Sequence, residues 1–555
     1  MPNVDVAGED RRAADDHRVS DERPAGGLLR SNLVVATGTA LSRLTGLARV
    51  QVLGAVLGQG ALADVYGNAN NSPNAVYELL IGGVLSAGLV PVFTRHLEAD
   101  DEDSTSAVIS TVIVVLLGLT ALSILLAPWI FGASAKSVSK PVSESDFRMV
   151  GASLTRIFLI QILFYGVFAL WAAVLNARRK FFAPAWAPVL ANVVTIAGLV
   201  WAAGRLAHGV NPLDAAVRDQ TLRMRLGIGA TLGIAAMTLA LIPALRRSGA
   251  RLRFRPNFAH PAVRTVFKLS VWTFGYAAAN VITVVVIKNL AGAGSGGQTA
   301  YTNAFTIFQL PYGLLAVSLT TTMLPELSRR VARHDRDGFN DHAGRGVRMV
   351  ALLSFPCAAL LVALRRSITT VLLQYGRLTA ADALVTSRAL AGFAIGLVGF
   401  SVYLFVLRCF YAHSDTRTPF VINLFECALN IVLAIVLVDR YGVLGLGLAF
   451  GLAYLVCALW ALQVLSYKVP GFPLRSILVS MGRMLLAATL ATELAWIGAH
   501  LFGGSGRLGA VIDVVTGSLV GAAAYGAILR MLGGGELDGL IDLVGRRAKT
   551  TEAHG

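Results

Sequence analysis

Fourteen apolar stretches divide the chain, at roughly 30–58, 66–94, 107–133, 150–176, 182–204, 226–246, 263–291, 299–327, 346–364, 383–411, 418–438, 443–466, 475–502 and 508–532. A membrane-crossing helix needs about 20 apolar residues, and every stretch meets this except the ninth, which is marginal. The connections between them are short and several are strongly basic. One holds Arg178, Arg179 and Lys180; another Arg246, Arg247, Arg251, Arg253 and Arg255; a third Arg329, Arg330, Arg333 and Arg336. The pattern predicts an all-α polytopic membrane protein with about 14 transmembrane helices, called spans 1 to 14 below.

The pattern also repeats. Tyr66-Gly67-Asn68-Ala69 returns as Tyr301-Thr302-Asn303-Ala304, Pro91 with Arg95 as Pro325 with Arg329, and Pro184 as Pro419. The offsets are 235, 234 and 235 residues. Six spans, an even number, separate the copies, so both copies cross the membrane in the same direction. A parallel pseudo-two-fold along the membrane normal follows, with a substrate site expected between the halves. The expected organisation is a disordered cytoplasmic tail (1–28), an N-lobe of six spans (29–255), a C-lobe of six (256–468), a C-terminal helix pair (469–535) and a second cytoplasmic tail (536–555). The first 28 residues lack the apolar core of a signal peptide. With the N-terminus inside, inner loops and tails hold about 30 Lys and Arg and outer loops about 12, which predicts a multi-pass cytoplasmic-membrane protein with both termini in the cytoplasm.

Composition sharpens the picture. The 555 residues are 55% hydrophobic and 14% charged, with mean hydropathy +0.65, whereas a soluble globular chain carries about 25% charged residues. The net charge of +16 resides in loops that set orientation, so a nucleic-acid binder is excluded. Cys357, Cys409, Cys427 and Cys457 all fall in apolar segments without metal-ligand spacing, as small buried hydrophobes do.

Against this background the stretch from Leu41 to Arg95 stands out. Arg43 and Arg49 lie inside span 1, where an arginine costs roughly 2.5–3.5 kcal/mol on insertion scales. Their directions differ by about 120°, so together with Ser42 they would flank a wide cavity. The functional reading is anion binding, most naturally phosphate, whose oxygens match a guanidinium fork; the alternative is snorkelling or pairing with a structural carboxylate. Gly46 between them allows a close neighbour or a bend. On span 2, Asn70, Asn71, Asn74 and Glu78, with Tyr77 among them, form a polar stripe, either a cavity lining or interhelical glue, and Pro73 in the same span is a structural candidate, as are Asp415 and Pro419. Glu78 is a candidate counter-ion for either arginine. Asp64, at the outer end of span 2, is either a gate contact or a helix cap. Lys288 on span 7 either joins the arginines on a diphosphate or snorkels outward. Arg156, Arg388 and Arg483 lie near span ends, where snorkelling is the simpler reading. No phosphate-binding glycine loop, histidine metal pair or nucleophile triad is present, so neither an enzyme nor a cofactor is expected.

These residues resemble a known family. Ser42-Arg43-Leu44-Thr45-Gly46-Leu47-Ala48-Arg49 is similar to the S-R-x-x-G-x-x-R signature of the MurJ/MviN family. Asp64, Pro73-Asn74, Val90-Pro91, Leu175-Asn176 to Pro188, Gln309-Leu310-Pro311-Tyr312-Gly313, Leu324-Pro325 and Asp415-Thr416-Arg417-Thr418-Pro419 follow at similar spacing, over about 30–530. The resemblance implies a MOP-superfamily exporter whose two lobes flip lipid II, the undecaprenyl-diphosphate-linked cell-wall precursor. It implies cavity roles for Arg43 and Arg49, a functional acid at Asp64, and a lipid-tail groove at the last two helices. The chain departs from the family at Tyr77 and Thr306, where arginines are common, at Phe305 and Gln309, where acids are common, and at Gly82-Gly83.

The partners so implied are lipid II or a related undecaprenyl-linked substrate, membrane lipids and cell-wall synthesis machinery. The coupling ion is left open. Rival readings are a flippase for another undecaprenyl-linked glycan, a MOP-type antiporter and a non-transporting scaffold for cell-wall synthases. An antiporter calls for intramembrane carboxylates, for which only Glu78, Glu426 and Glu493 are candidates.

Overall fold

A computed structural model of the protein describes residues 25–79, 93–94, 101–206, 209–249, 253–313, 317–502, 504 and 506–535. Both predicted tails beyond these limits, the rest of span 2 and the Gly82-Gly83 and Val90-Pro91 motifs lie outside the described residues.

Each predicted span has a helix. Span 1 is Ala25–Leu57 and span 2 is described as Ala61–Tyr77. Span 3 is Glu102–Leu125; span 4 is Glu144–Phe158 followed by Gln161–Ala177. Span 5 is Phe182–Ala203 and span 6 is Gln220–Leu239 followed by Ile242–Arg247. Span 7 is Pro261–Leu290, and span 8 is Gly297–Pro311 followed by Val317–Ala332. Spans 9 to 12 are Arg336–Ala363, Ala380–Ala412, Arg417–Tyr441 and Val443–Lys468. Spans 13 and 14 are Leu474–Phe502 and Gly506–Met531. Among the described residues, eleven are long and apolar enough to cross a membrane. The others are spans 2, 7 and 8; the described part of span 2 carries Asp64, Asn68, Asn70, Asn71 and Asn74. Span 9, marginal from its apolar stretch, is 28 residues long, because polar turns from Arg336 to Arg348 continue the helix past the hydrocarbon.

Spans 1 to 6 pack chiefly among themselves, as do spans 7 to 12. Small residues allow the closest approaches, as lipid-embedded helices require. Where spans 10 and 12 meet, a Cβ built on Gly396 would stand 2.3 Å from Gly451 Cα. The C-terminal pair joins the second group's core: Ile477, Met484, Tyr525 and Leu529 belong to the cluster around Phe393 and Phe405, and the Tyr525 hydroxyl donates to the Leu352 carbonyl at 3.2 Å. The cysteines behave as small core residues; Cys409, Cys427 and Cys457 are buried and Cys357 half-buried.

Gly46 meets span 5 rather than bending its helix. Asn192 Nδ2 donates to the Ser42 carbonyl at 3.1 Å and to Thr45 Oγ1 at 3.0 Å, and a Cβ on Gly46 would touch the same amide at 3.7 Å. The Ser42–Gly46 face thus fixes span 1 on span 5 and turns Arg43 away from that contact.

Candidate functional site

At one end of the bundle the two halves are stitched together by Asp64, which is 1% exposed. Its Oδ2 accepts from the backbone amides of Gly294 (3.0 Å) and Gly296 (2.9 Å). Its Oδ1 accepts from the Thr299 amide (2.9 Å) and the Thr299 hydroxyl (2.6 Å). A carboxylate from span 2 therefore sits on the N-terminus of span 8, where unpaired amides and the helix dipole favour negative charge. The glycines make this possible: Gly292, Gly294 and Gly296 have φ of +79°, +84° and +81°, a region that other residues rarely enter.

One turn along, Asn68 donates to Gln298 Oε1 at 2.5 Å, and Gln298 Nε2 donates to the carbonyls of Ser134 (3.1 Å) and Lys288 (2.6 Å). Around these, Ser139 N donates to Ala293 O at 2.8 Å, Lys136 N to Asn289 Oδ1 at 2.8 Å and Asn289 Nδ2 to Ala133 O at 2.7 Å. A second seam joins the turn after span 1 to span 10: Gln59 Nε2 donates to Asp382 O and Thr386 Oγ1 to Gln59 Oε1. This end of the bundle, opposite the basic loops, is closed.

Arg49 and Arg43 lie deeper, about 12 and 21 Å below Leu57 by helical rise. Among the described residues neither guanidinium has a hydrogen bond or an ion pair. Arg43 is exposed and Arg49 half-buried. A Cβ on Gly313, in the other half, would lie 3.3 Å from Arg43 Cζ, so the guanidinium rests against span 8. The charge of Arg49 acts on the hydroxyls of Tyr66 and Tyr165, and Tyr165 packs on Tyr77 with ring centroids 5.8 Å apart. Among the described residues each guanidinium therefore keeps its donors free for the oxygens of an anion.

The remaining candidates distribute differently. Asn70 and Asn71 are half-buried, Asn74 and Glu78 exposed, and none makes a side-chain hydrogen bond among the described residues; the interhelical bonds of span 2 come from Asp64 and Asn68. Glu78 pairs with neither arginine. Lys288 is buried in the closed end, where the field of Asp64 reaches it and its backbone carbonyl accepts from Gln298 Nε2. Pro73 is buried in the described helix of span 2.

Asp415 stays at the basic end, where it accepts from the Thr418 amide (3.0 Å) and hydroxyl (2.7 Å) and from Lys468 Nζ (2.6 Å). Partial burial would raise its pKa, but the Lys468 and Thr418 bonds outweigh that and hold it at about 2. Pro419 is buried one residue beyond this knot.

Sequence reasoning missed Gln298, Thr299 and the glycine loop, although the run Ala291 to Gly297 and the 235-residue spacing of Asp64 and Thr299 were both visible. It also missed Arg408, an exposed span 10 cation whose charge, like that of Arg43, acts on Tyr312.

The family model for lipid II flippase MurJ matches residues 53–515. The chain belongs to the MurJ family. A Burkholderia cenocepacia lipid II flippase MurJ is 30% identical over 434 residues, covering 76% of this chain and 81% of that protein. A probable lipid II flippase MurJ of Vibrio cholerae is 26% identical over 532 residues, 91% of this chain and 96% of its own length. Among solved structures, a lipid II flippase MurJ in an inward closed conformation superposes with a TM-score of 0.73 at 23% identity, covering 90% of this chain and 99% of that one. An inward-facing multidrug transporter of the MATE family, also in the MOP superfamily, gives 0.61 at 13% identity, covering 78% and 96%. These likenesses establish the MOP fold of a multi-pass membrane transporter. At the positions where the chain departs from the MurJ pattern, Thr306 bonds back to Thr302 O at 2.9 Å and Phe305 packs among Phe308, Phe393 and Phe450, leaving an aromatic wall instead of charge.

Proposed function

We propose that this chain carries lipid II from the inner to the outer leaflet of the cytoplasmic membrane by alternating access, as a transporter without a catalytic step. The observation that carries this reading is the pair of unpaired guanidiniums in span 1, below an end closed by Asp64. The basic loops face the cytoplasm, as do both termini. With the opposite end shut, the diphosphate enters from the inner leaflet and binds Arg43 and Arg49, joined by Ser42. Asn70, Asn74 and Glu78 hydrate the sugar-peptide head while the polyprenyl tail remains in lipid. The main physical obstacle is moving an anionic head across about 30 Å of hydrocarbon; a wet basic cleft replaces its hydration shell. The lobes then rock, the Asp64 seam parts and the head leaves outward. Membrane potential supplies about 2.3 kcal/mol per charge per 100 mV, a sufficient drive for an anion moving outward; a cation gradient is the other source. Cell-wall synthases are the partners that consume the product.

The test is depletion in the native host with leaflet-selective labelling of lipid II. Lipid II should accumulate inside; wild type should restore export and Arg43→Ala should not. Arg43→Lys, which keeps the charge but loses the fork, should restore it only in part. Full rescue by Arg43→Ala would remove the arginine from the mechanism.

A further inference from the structure

A second basic site lies at the basic end, on the C-terminal side of the protein. A cleft of about 670 Å3 opens there between the end of span 12 and the start of span 13, lined by Ser466, Phe472, Ser476, Val479, Arg475 and Arg483, among others. Ser476, Ser480 and Arg483 follow at i, i+4 and i+7 and share one helix face, polar although it begins a membrane span. Arg483 lies about 13 Å along the helix from Leu474, at a depth where a cation is costly without a partner. Its guanidinium turns back toward the end of the bundle and donates to Gly533 O at 3.2 Å.

Among the described residues neither Arg475 nor Arg483 has a carboxylate within ion-pairing distance. A third cation, Arg348 of span 9, donates to Ser476 Oγ at 3.4 Å, which leaves the Ser476 hydroxyl proton free to donate onward. The neighbouring Lys468 is already held by Asp415, so the cleft keeps a net positive field. Its rim is apolar and faces outward: Val479 is 50% exposed, as is Leu486 two turns further along, and Tyr467 beside Ser466 projects at the level where amphipathic rings settle at a membrane surface. Basic pockets between helix ends, with apolar surface leading into the bilayer, suit a phosphate head with its chains attached.

We propose that this cleft binds the phosphate head of an anionic phospholipid in the adjoining leaflet. Arg475 and Arg483 hold the phosphate oxygens, Ser476 donates to them and an acyl chain lies along Val479 and Leu486. The lipid thereby fastens the C-terminal helix pair to the leaflet.

The test is native mass spectrometry of the purified full-length chain titrated with phosphatidylglycerol and, in parallel, phosphatidylcholine. Phosphatidylglycerol should bind preferentially, and Arg475→Gln with Arg483→Gln should weaken it by about tenfold or more while the variant keeps the wild-type helix content by circular dichroism. Arg475→Lys with Arg483→Lys should keep part of the affinity. Equal binding of both lipids, or unchanged phosphatidylglycerol binding in the glutamine variant, overturns the proposal. Displacement of phosphatidylglycerol by millimolar inorganic phosphate, with stabilisation equal to the lipid's, assigns the cleft to a free anion and also overturns it. Because this assay measures equilibrium binding, its outcome is independent of the lipid II reading, which a transport assay tests separately.

Discussion

One carboxylate accepts four hydrogen bonds from a segment more than 200 residues away. Hydrogen bonds to charged groups contribute about 1.5–3 kcal/mol each. In Asp64→Asn, an amide NH2 would face either the amides of Gly294 and Gly296 or the donors of Thr299, so at least two donors lose their acceptor. Backbone exchange at Gly294, Gly296 and Thr299 should quicken roughly tenfold or more, read by hydrogen–deuterium exchange of a peptide spanning 291–300. Unchanged exchange would mean that the seam is held elsewhere. Asp415 makes a different prediction. Its folded pKa of about 2 lies below the unfolded value of about 3.9, so its contribution is complete above pH 4 and disappears as the pH falls toward 2. The pair is partly exposed and worth about 0.5–1 kcal/mol. Asp415→Asn should therefore unfold earlier than wild type at pH 7, and the gap should narrow at pH 3; a constant gap would assign the effect to the helix cap rather than the charge. The site was legible at this scale only in part. An arginine or aspartate inside an oily helix announces itself by cost, but its partner is fixed by tertiary geometry. Hence Asp64 was visible as a gate or cap while its bond to Thr299 was not, and the burial of Lys288 in the closed end was not either.

At the level of the helix, each predicted apolar stretch holds a helix, and among the described residues eleven are long and apolar enough to cross a membrane, because lipid forces each backbone to satisfy itself. The same apolarity hides which face packs on a neighbour, since lipid and protein interior are equally oily. Helix ends were also hidden: span 9 continues through Arg336 to Arg348, which hydropathy excludes although the backbone stays helical. Glycine position supplies the missing information on faces. Gly396 has no room for a Cβ against Gly451 Cα, so Gly396→Val must separate spans 10 and 12 or strain them, at a cost of about 1–3 kcal/mol. Gly482, mid-helix in span 13, has nothing within 4 Å of its missing Cβ, so Gly482→Ala should stabilise by up to about 1 kcal/mol. Thermal unfolding in detergent should lower the midpoint for the first and hold or raise it for the second. Equal effects would show that helix propensity, not close packing, governs both.

Across the whole molecule, the two halves meet through residues that the internal repeat makes equivalent. Asp64 and Thr299 are 235 residues apart, the repeat offset itself, so the closed seam lies where the pseudo-two-fold brings spans 2 and 8 together. A contact on such an axis can open by rotation of two rigid halves without unfolding either, because the cores are built mostly within each half. The prediction is that fastening the seam arrests transport. Val138 and Ala293 form a bridge between the connection after span 3 and the loop after span 7, and bridge partners are close enough for a disulfide. With Val138→Cys and Ala293→Cys, oxidation should reduce lipid II export to the level of cells lacking the protein, and reductant should restore it. Each single variant should export normally under both conditions. Export that continues with the bond confirmed by mass spectrometry would mean that the head leaves by a route that never parts the Asp64 seam, and rocking about the pseudo-axis would no longer describe this transporter.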